Sequence, residues 1–334
     1  MKVNSFIKYQ LKKLAPLFIV LGVICFAFGI LANTSLFKYT SNYISTSLLF
    51  PTLLIPTYIL PFFVFKDYFN KNMADTVNSF PANNNQINRV KILIGLIFLV
   101  SLSTFLHLCS ILLNPSSYKV SYFVAFLFSL LSLSILYLMN CTLVSLGNTV
   151  VSSILYVIAG GMILGGFIPT LFVIFGWETD LLSIISAFGG AVGSEYVILQ
   201  IELGKNLMSN ALYIVLFVLI YLVQVGVGVL SFFSKEPSGE YYGAPGARNK
   251  YYKFIIYGAI GLSHVFINAA VARIVGNSVP TDLNLTLYLV MFIYSYIAIV
   301  LFDKKFKISK YDWIILGSVT LGGAIIRIII SLVI

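Results

Sequence analysis

The stretch LAPLFIVLGVICFAFGILA, residues 14–32, decides the fold class, because it is long and apolar enough to cross a membrane. A helix rises about 1.5 Å per residue, so a run of this length nearly spans a hydrocarbon core of about 30 Å. The run exceeds the core of a usual signal peptide, and we interpret it as a retained first span. The whole chain is similar: 59% of its 334 residues are hydrophobic, and 10% are charged. The sequence therefore predicts an all-α polytopic membrane protein.

Nine segments of the chain are apolar enough to be membrane spans. They are residues 14–32, 47–65, 91–113, 121–146, 149–176, 209–233, 254–272, 285–302 and 313–333. With the N-terminus inside, sixteen of the 21 Lys and Arg residues fall in inner segments, four in outer segments, and Arg327 lies in the last span. The positive-inside rule favours this orientation and explains the net charge of +10 without a nucleic-acid partner. We therefore expect a multi-pass protein of the cytoplasmic membrane, with its N-terminus inside and its C-terminus outside.

Residues 177–208, between the fifth and sixth spans, form an outer segment with an apolar centre at 181–203. If that centre crossed the membrane, the basic residues of the C-terminal third would face outward, against the positive-inside rule. We therefore interpret the segment as a re-entrant or surface-lying element, interrupted by its glycines. Glu195 and Glu202 lie on it and are candidates for an outer gate. A solvated acidic rim is the alternative.

The fifth span contains several glycines and one proline, including Gly161, Gly165 and Pro169. Small residues four positions apart allow helices to approach closely, and a proline kinks a helix. Close packing is the favoured interpretation of these residues. A hinge for conformational switching is the alternative.

The first thirteen residues have the pattern of an amphipathic helix. Apolar residues share one face and lysines surround them: Val3, Phe6, Ile7, Leu11 and Leu14, with Lys2, Lys8 and Lys12. A helix of this kind can lie in the inner headgroup layer, so residues 1–13 are predicted to be an interfacial helix. A basic tail without fixed structure is the alternative.

The loop at residues 66–91 is polar, but it carries apolar residues at helical spacing: Phe69, Met73, Val77 and Phe80. That spacing predicts one face of a three-turn helix, which Pro81 ends. The asparagines at 83–85 then offer an N-cap to the next helix. We expect a short helix across the inner ends of two spans, with its apolar face available to a partner. Burial of that face in lipid headgroups is the alternative.

The sequence NKNMADTVNSFP at residues 70–81, followed by Arg89 and Lys91, resembles the first cytoplasmic loop of exporter-type ATP-binding-cassette permeases of Gram-positive bacteria. In that family a Ser-aliphatic-Pro turn closes a coupling helix that sits on a separate ATPase subunit. Here Phe80 replaces the usual leucine, and Arg89 comes later than the common basic residue. The resemblance implies an ATPase-coupling role for Phe69, Met73, Asp75, Val77, Phe80, Pro81 and Arg89.

The resemblance also implies a domain organisation and a function. It covers the interfacial helix at 1–13 and a six-span permease core at 14–235, while the cytoplasmic loop and three further spans at 236–334 depart from the family's pattern. The chain would be the transmembrane subunit of an ATP-driven exporter in a bacterial cytoplasmic membrane, paired with a second copy of itself and with two ATPase subunits. Its cargo would be an amphipathic peptide, as for exporters of phenol-soluble modulins or antimicrobial peptides, with lipid or drug efflux as the alternative.

The sequence offers little for chemistry within the chain itself. No G-x-x-x-x-G-K-[ST] motif occurs, so ATP and Mg are expected to bind to the partner ATPase. His107 and His264 are the only histidines, and no His-Glu-x-x-His occurs, so we predict no catalytic residue and no metal site. A membrane-embedded enzyme remains the alternative class. A secondary transporter would need internal repeats and ionisable groups at mid-membrane, and the sequence shows neither.

Overall fold

The part of the chain that the structure describes is helical. The computed structural model describes residues 2–33, 44–80, 84–113, 120–147, 149–162 and 309–333, and positions 222, 225, 226, 289, 292, 293, 296, 297, 299 and 300. None of these residues lies in a β-strand, which confirms the all-α prediction over the described residues. The chain forms two compact units, one of residues 1–146 and 190–242 and the other of residues 147–189 and 243–334.

Five α-helices and one 3₁₀ turn of the first unit have described bounds. They are α1 (Lys2–Asn33), α2 (Ile44–Phe65), the 3₁₀ turn (Lys66–Phe69), α3 (Lys71–Asn78), α4 (Asn84–Leu113) and α5 (Val120–Leu146). The helix α2 packs against α1, α4 and α5, while α4 also packs against α1 and α5. The four long helices therefore form one packed group in which α2 and α4 each contact the other three.

The helix α1 differs from the prediction of an interfacial helix followed by a separate span. It runs for 32 residues from Lys2 to Asn33 and continues through Pro16. At about 1.5 Å per residue, a helix of this length is about 48 Å long. The side chain of Phe6 is fully buried against other parts of the same chain. The N-terminal part of α1 is thus an extension of the long helix and packs within the first unit.

Two described helices are long and apolar enough to span a membrane. The stretches are Asn4–Phe28 in α1 and Asn85–Cys109 in α4, each of 25 residues. Both helices expose large apolar side chains: Ile19, Val20, Val23, Phe28, Ile97, Phe105, Leu108 and Leu112. Polar side chains of the same helices, such as Gln10 and Ser103, are buried. Apolar residues outside and polar residues inside are the distribution that a lipid environment favours.

The contact between α4 and α5 includes one buried tyrosine of α5. The Tyr137 side chain is fully buried, and its hydroxyl donates a hydrogen bond to the Ile92 carbonyl of α4 at 3.2 Å. The ring reaches that carbonyl because Gly95 leaves space beside it: a Cβ there would lie 2.8 Å from Tyr137 Cζ and 3.3 Å from Val64 Cγ2. A small residue at a helix contact allows close approach in the way expected of membrane helices.

A second contact joins α5 to α2 close by. The Asn140 side-chain nitrogen donates to the Thr57 carbonyl at 3.4 Å, and both residues are fully buried. We call this region, defined by Thr57, Val64, Gly95, Tyr137 and Asn140, the midsection.

Two helices of the second unit have described bounds, α6 (Val150–Met162) and α7 (Lys310–Val333). Each starts at a hydroxyl side chain that caps its first turn. The Ser152 amide donates to Thr149 Oγ1 at 3.2 Å, and the Asp312 amide donates to Ser309 Oγ at 3.2 Å. Ser309 Oγ in turn donates to the Asp312 carboxylate at 2.6 Å. These caps define where the two helices begin, close to the predicted boundaries at residues 149 and 313.

Candidate functional site

The loop between α2 and α4 folds into two short pieces of helix in place of the predicted three-turn helix. The 3₁₀ turn Lys66–Phe69 ends at Asn70, whose backbone is extended (φ −132°, ψ 121°). The Asn70 side chain accepts a hydrogen bond from the Asn72 amide at 3.1 Å and so acts as the N-cap of α3. The helix α3 therefore covers two turns and leaves Phe69 in the preceding 3₁₀ turn.

The end of α3 and the start of α4 agree with the sequence prediction. The helix α3 ends at Asn78, before Pro81, and Ser79 Oγ donates to the Thr76 carbonyl at 2.7 Å. The helix α4 begins at Asn84, within the asparagine run at 83–85. The short surface helix that the loop sequence predicts is thus present, one turn shorter than expected.

The apolar side of α3 is covered by the same chain. Val77 packs with Phe6 of α1 and Ile87 of α4, and all three side chains are buried. Three further residues pack on this group: Tyr9, Phe80 and Val90. The Phe80 ring centroid lies 5.3 Å from those of both Phe6 and Tyr9. We call these six residues the apolar cluster.

The apolar cluster corrects the expectation that this face of α3 is available to a partner. The reason is the length of α1: its N-terminal extension reaches α3 and covers Val77 and part of Phe80. The exposed side of α3 is polar, and it presents Asn72, Asp75 and Thr76.

A buried carboxylate lies directly before α3. Asp67 is fully buried in the 3₁₀ turn, and its two oxygens contact side chains from two helices. Lys91 of α4 lies with its Nζ 2.9 Å from Oδ2, and Lys13 of α1 forms an ion pair with Oδ1. The side-chain amide of Gln10 donates to Oδ2 at 3.1 Å. We call Gln10, Lys13, Asp67 and Lys91 the charge cluster.

The side chains of Tyr68 and Asn88 complete the surroundings of Lys91. The Lys91 Nζ lies 3.9 Å from the centre of the Tyr68 ring, a cation–π contact that is strengthened by the absence of water. The Tyr68 hydroxyl donates a hydrogen bond to Asn88 Oδ1, which holds the ring in position. Lys91 itself has no exposed surface, so its charge depends on these groups and on Asp67.

The charge cluster holds two positive groups and one negative group. Removal of one partner from a buried ion pair lowers the stability of the folded protein far more than the pair itself contributes. The reason is that the remaining charge stays buried without an opposite charge beside it. The cluster is therefore a strong constraint on how α1, the 3₁₀ turn and α4 are placed. Together the charge cluster and the apolar cluster join α3 and its preceding turn to both α1 and α4. We call the two clusters together the junction.

The structure places the predicted coupling residues in different environments. Within the described residues, Val77 is buried, Phe69, Met73 and Phe80 are half-buried, and Asp75 and Arg89 are exposed. The remaining predicted residues are Pro81, Glu195, Glu202, Gly165 and Pro169, which lie outside the described residues, and Gly161, which lies in α6.

The charge cluster was missed in the sequence, although one signal pointed to it. Asp67 and Asp75 are the only acidic residues among the first 177 of the chain. An isolated acid at the end of an apolar segment, in a region with many lysines, is a candidate for a buried ion pair. Its partners Lys13 and Lys91 were interpreted as loop charges because they flank predicted spans.

Comparison of the chain with models of known protein families, with curated proteins and with solved structures found no match. A function for this chain must therefore be argued from its own residues and their arrangement. The junction is the described region that combines buried charges, aromatic contacts and a short helix with an exposed polar side.

Proposed function

We propose that this chain is the transmembrane subunit of an ATP-driven exporter of amphipathic peptides in a bacterial cytoplasmic membrane. In this proposal it pairs with a second copy of itself and with two ATPase subunits, which bind ATP and Mg. The observation that carries the proposal is the junction. A short helix with an exposed polar side is joined, through buried contacts, to the two described helices that could span a membrane.

The junction has the properties that a mechanical coupling element needs. Its outer side presents Asn72, Asp75 and Thr76, which can form hydrogen bonds and a charge contact with a partner. Its inner side is close-packed, so a displacement of α3 moves the residues that it touches on α1 and α4. Closure of the ATPase subunits on binding ATP would push on α3 and shift the ends of both helices.

The proposal includes a membrane topology. Nine spans with the N-terminus inside would place the junction on the cytoplasmic side, where an ATPase subunit can reach α3. The permease core would be residues 14–235, and residues 236–334 would add a cytoplasmic loop and three spans. The cargo is inferred from composition: aromatic residues make up 15% of the chain and charged residues 10%, which suits an amphipathic or apolar molecule better than an ion.

The test begins with assembly. The chain is co-expressed with the ATP-binding-cassette ATPase subunits encoded in the same genome and purified through a tag on this chain. We expect one of them to co-purify with the wild type. The double variant Asp75→Arg/Thr76→Arg changes the exposed side of α3 and should reduce the bound ATPase at least about 10-fold. The control Asn4→Arg places one arginine at an exposed position of α1 and should leave assembly unchanged.

The second stage measures transport by the purified complex in liposomes. We expect an amphipathic helical peptide to raise ATP hydrolysis and to accumulate inside vesicles in which the ATPase subunits face outward. Stimulation by lipids or drugs without any response to peptides would support the efflux alternative. Absence of any co-purifying ATPase from the wild type would contradict the proposal.

A further inference from the structure

The charge cluster contains one lysine more than its carboxylate can neutralise. Asp67 and Lys91 are fully buried and form a pair with zero net charge. Lys13 adds a second positive charge on the same carboxylate, and its side chain is 20% exposed. The two lysines therefore differ: Lys91 is enclosed by Tyr68 and α4, whereas Lys13 lies at the edge of the cluster.

The repulsion between the two ammonium groups acts on α1. Lys13 can reach water or headgroups by a movement of its flexible side chain or of the helix that carries it, while Lys91 cannot. The Asp67 carboxylate opposes that movement because it attracts both cations. The position of the N-terminal part of α1 thus depends on one buried negative charge.

The apolar cluster connects this position to α3. Phe6 and Tyr9 lie on the same part of α1 as Gln10 and Lys13, and their rings pack on Phe80 at the end of α3. If repulsion from Lys91 drives Lys13 away from Asp67, the same displacement pulls Phe6 and Tyr9 away from Phe80, and only the Gln10 hydrogen bond still joins this segment to the carboxylate. A free segment of about ten residues is too short to stay helical on its own in water.

We propose that residues 4–13 of α1 form a clamp over α3, that Asp67 holds this clamp closed, and that Lys13 is the group that leaves when it opens. Asp67 is then a positioning residue. It contacts neither a partner nor cargo in this proposal, and it fixes the position of the clamp on α3. The closed clamp is a property of this chain alone, while its effect on transport rests on the proposed function.

Hydrogen exchange of the full-length chain in lipid nanodiscs tests the clamp directly. In Asp67→Asn, the two lysines repel each other without an intervening carboxylate. Amide exchange in residues 4–12 should then rise at least about 10-fold. The control Asp75→Asn removes an exposed carboxylate of α3 and should leave exchange in residues 4–12 at the wild-type rate.

A second substitution separates repulsion from a general loss of stability. In Asp67→Asn/Lys13→Met, Lys91 still lacks its carboxylate, but its repulsion with Lys13 is removed. We expect exchange in residues 4–12 to return to within about 3-fold of the wild type, although the protein as a whole remains destabilised. If the double variant exchanges as fast as Asp67→Asn, the carboxylate serves only to compensate Lys91, and the clamp is refuted.

Cross-linking gives an independent measurement of the same contact. Tyr9→Cys and Phe80→Cys are introduced after Cys25, Cys109 and Cys141 are replaced by Ala, and a short thiol-reactive cross-linker is added. The ring centroids of Tyr9 and Phe80 lie 5.3 Å apart, so the closed clamp should be cross-linked readily. Addition of Asp67→Asn should slow the reaction, and further addition of Lys13→Met should restore it. An unchanged rate in the Asp67→Asn background would overturn the proposal.

The transport assay then shows whether the clamp matters for coupling. With the clamp open, the exposed side of α3 is intact, so Asp67→Asn should retain the ATPase subunit but lose peptide transport, and cross-linking positions 9 and 80 should restore it. Retained transport in Asp67→Asn with a demonstrably open clamp would refute the coupling role. If the wild type binds no ATPase, the proposed function fails, while exchange and cross-linking still decide whether the clamp exists.

Discussion

The junction and the midsection of the first unit are stabilised in different ways. At the junction, segments far apart in sequence meet on the single carboxylate of Asp67. In the midsection, the polar contacts between helices are uncharged: the Tyr137 hydroxyl donates to the Ile92 carbonyl at 3.2 Å, and the Asn140 side-chain nitrogen donates to the Thr57 carbonyl at 3.4 Å. The stability of the junction should therefore be most sensitive to a change of charge. The stability of the midsection should be most sensitive to a change of side-chain volume.

The largest effect is expected where the junction loses its carboxylate. Asp67→Asn leaves two ammonium groups without a buried counter-charge and should lower the free energy of unfolding by about 3–5 kcal/mol. The measurement is thermal or denaturant unfolding of the full chain in mild detergent. Asp75→Asn is the matched control at an exposed site and should change stability by no more than about 0.5 kcal/mol. Equal effects of the two substitutions would show that Asp67 is not held in the charge cluster.

The next effect concerns volume in the midsection. Gly95→Ala places a methyl group against Tyr137 and Val64, and the resulting overpacking should cost about 1–3 kcal/mol. The control is Gly22→Ala in α1, where no atom lies within 4 Å of the added Cβ, and where alanine should stabilise the helix by up to about 1 kcal/mol.

Tyr137→Phe, added to Gly95→Ala, tests the contact itself, because the hydroxyl of Tyr137 is the group nearest to the new methyl. It should recover part of the lost stability in a double-mutant cycle. Additive effects of the two substitutions would contradict the close approach of α4 and α5.

A smaller effect is expected at the start of α3. Asn70→Ala removes the side-chain acceptor of the Asn72 amide, at a cost of about 1 kcal/mol. This loss should appear as roughly 5-fold faster amide exchange within α3, with little change in α4. Asn72→Ala, at an exposed position inside the same helix, should leave exchange unchanged or slower. Faster exchange in Asn72→Ala than in Asn70→Ala would contradict the capping role.

The smallest effect is expected for a polar group of the midsection. The Asn140 nitrogen forms a long bond of 3.4 Å, and its Oδ1 has no hydrogen-bond partner among the described residues. Asn140→Leu conserves most of the volume and should change stability by no more than about 0.6 kcal/mol. Asn140→Ala, which leaves a cavity at the same site, should cost more. A loss for Asn140→Leu as large as that for Asp67→Asn would remove the distinction between the two regions.

The fold of the described residues could largely be predicted from apolar runs. The predicted segments 47–65 and 121–146 nearly coincide with α2 and α5, because a long apolar run leaves few alternatives to a helix. The start of α1 differs most from the expectation, because the helix is continuous from Lys2 and packs on the same chain. Its first thirteen residues have an amphipathic pattern, and that pattern cannot tell a helix on a lipid surface from one that packs on another part of the same chain.

The candidate site could be predicted only in part. The helix α3 follows from the local spacing of Met73 and Val77, but its exact start depends on the backbone of Asn70. The charge cluster depends on residues 54 and 24 positions apart in sequence, Lys13 to Asp67 and Asp67 to Lys91. The positive-inside rule counts lysines as separate loop charges and contains no information on such pairing.

The order of the charged residues along the chain has a consequence for biosynthesis. When Asp67 emerges from the ribosome, Lys13 is already present, and the two form a pair with no net charge. The surplus positive charge enters only with Lys91, twenty-four residues later, as α4 begins. Until Lys91 is synthesised, Lys13 can pair with Asp67 without a second lysine at the same carboxylate. The nascent chain can therefore fix the position of α1 first and pack α4 against it afterwards.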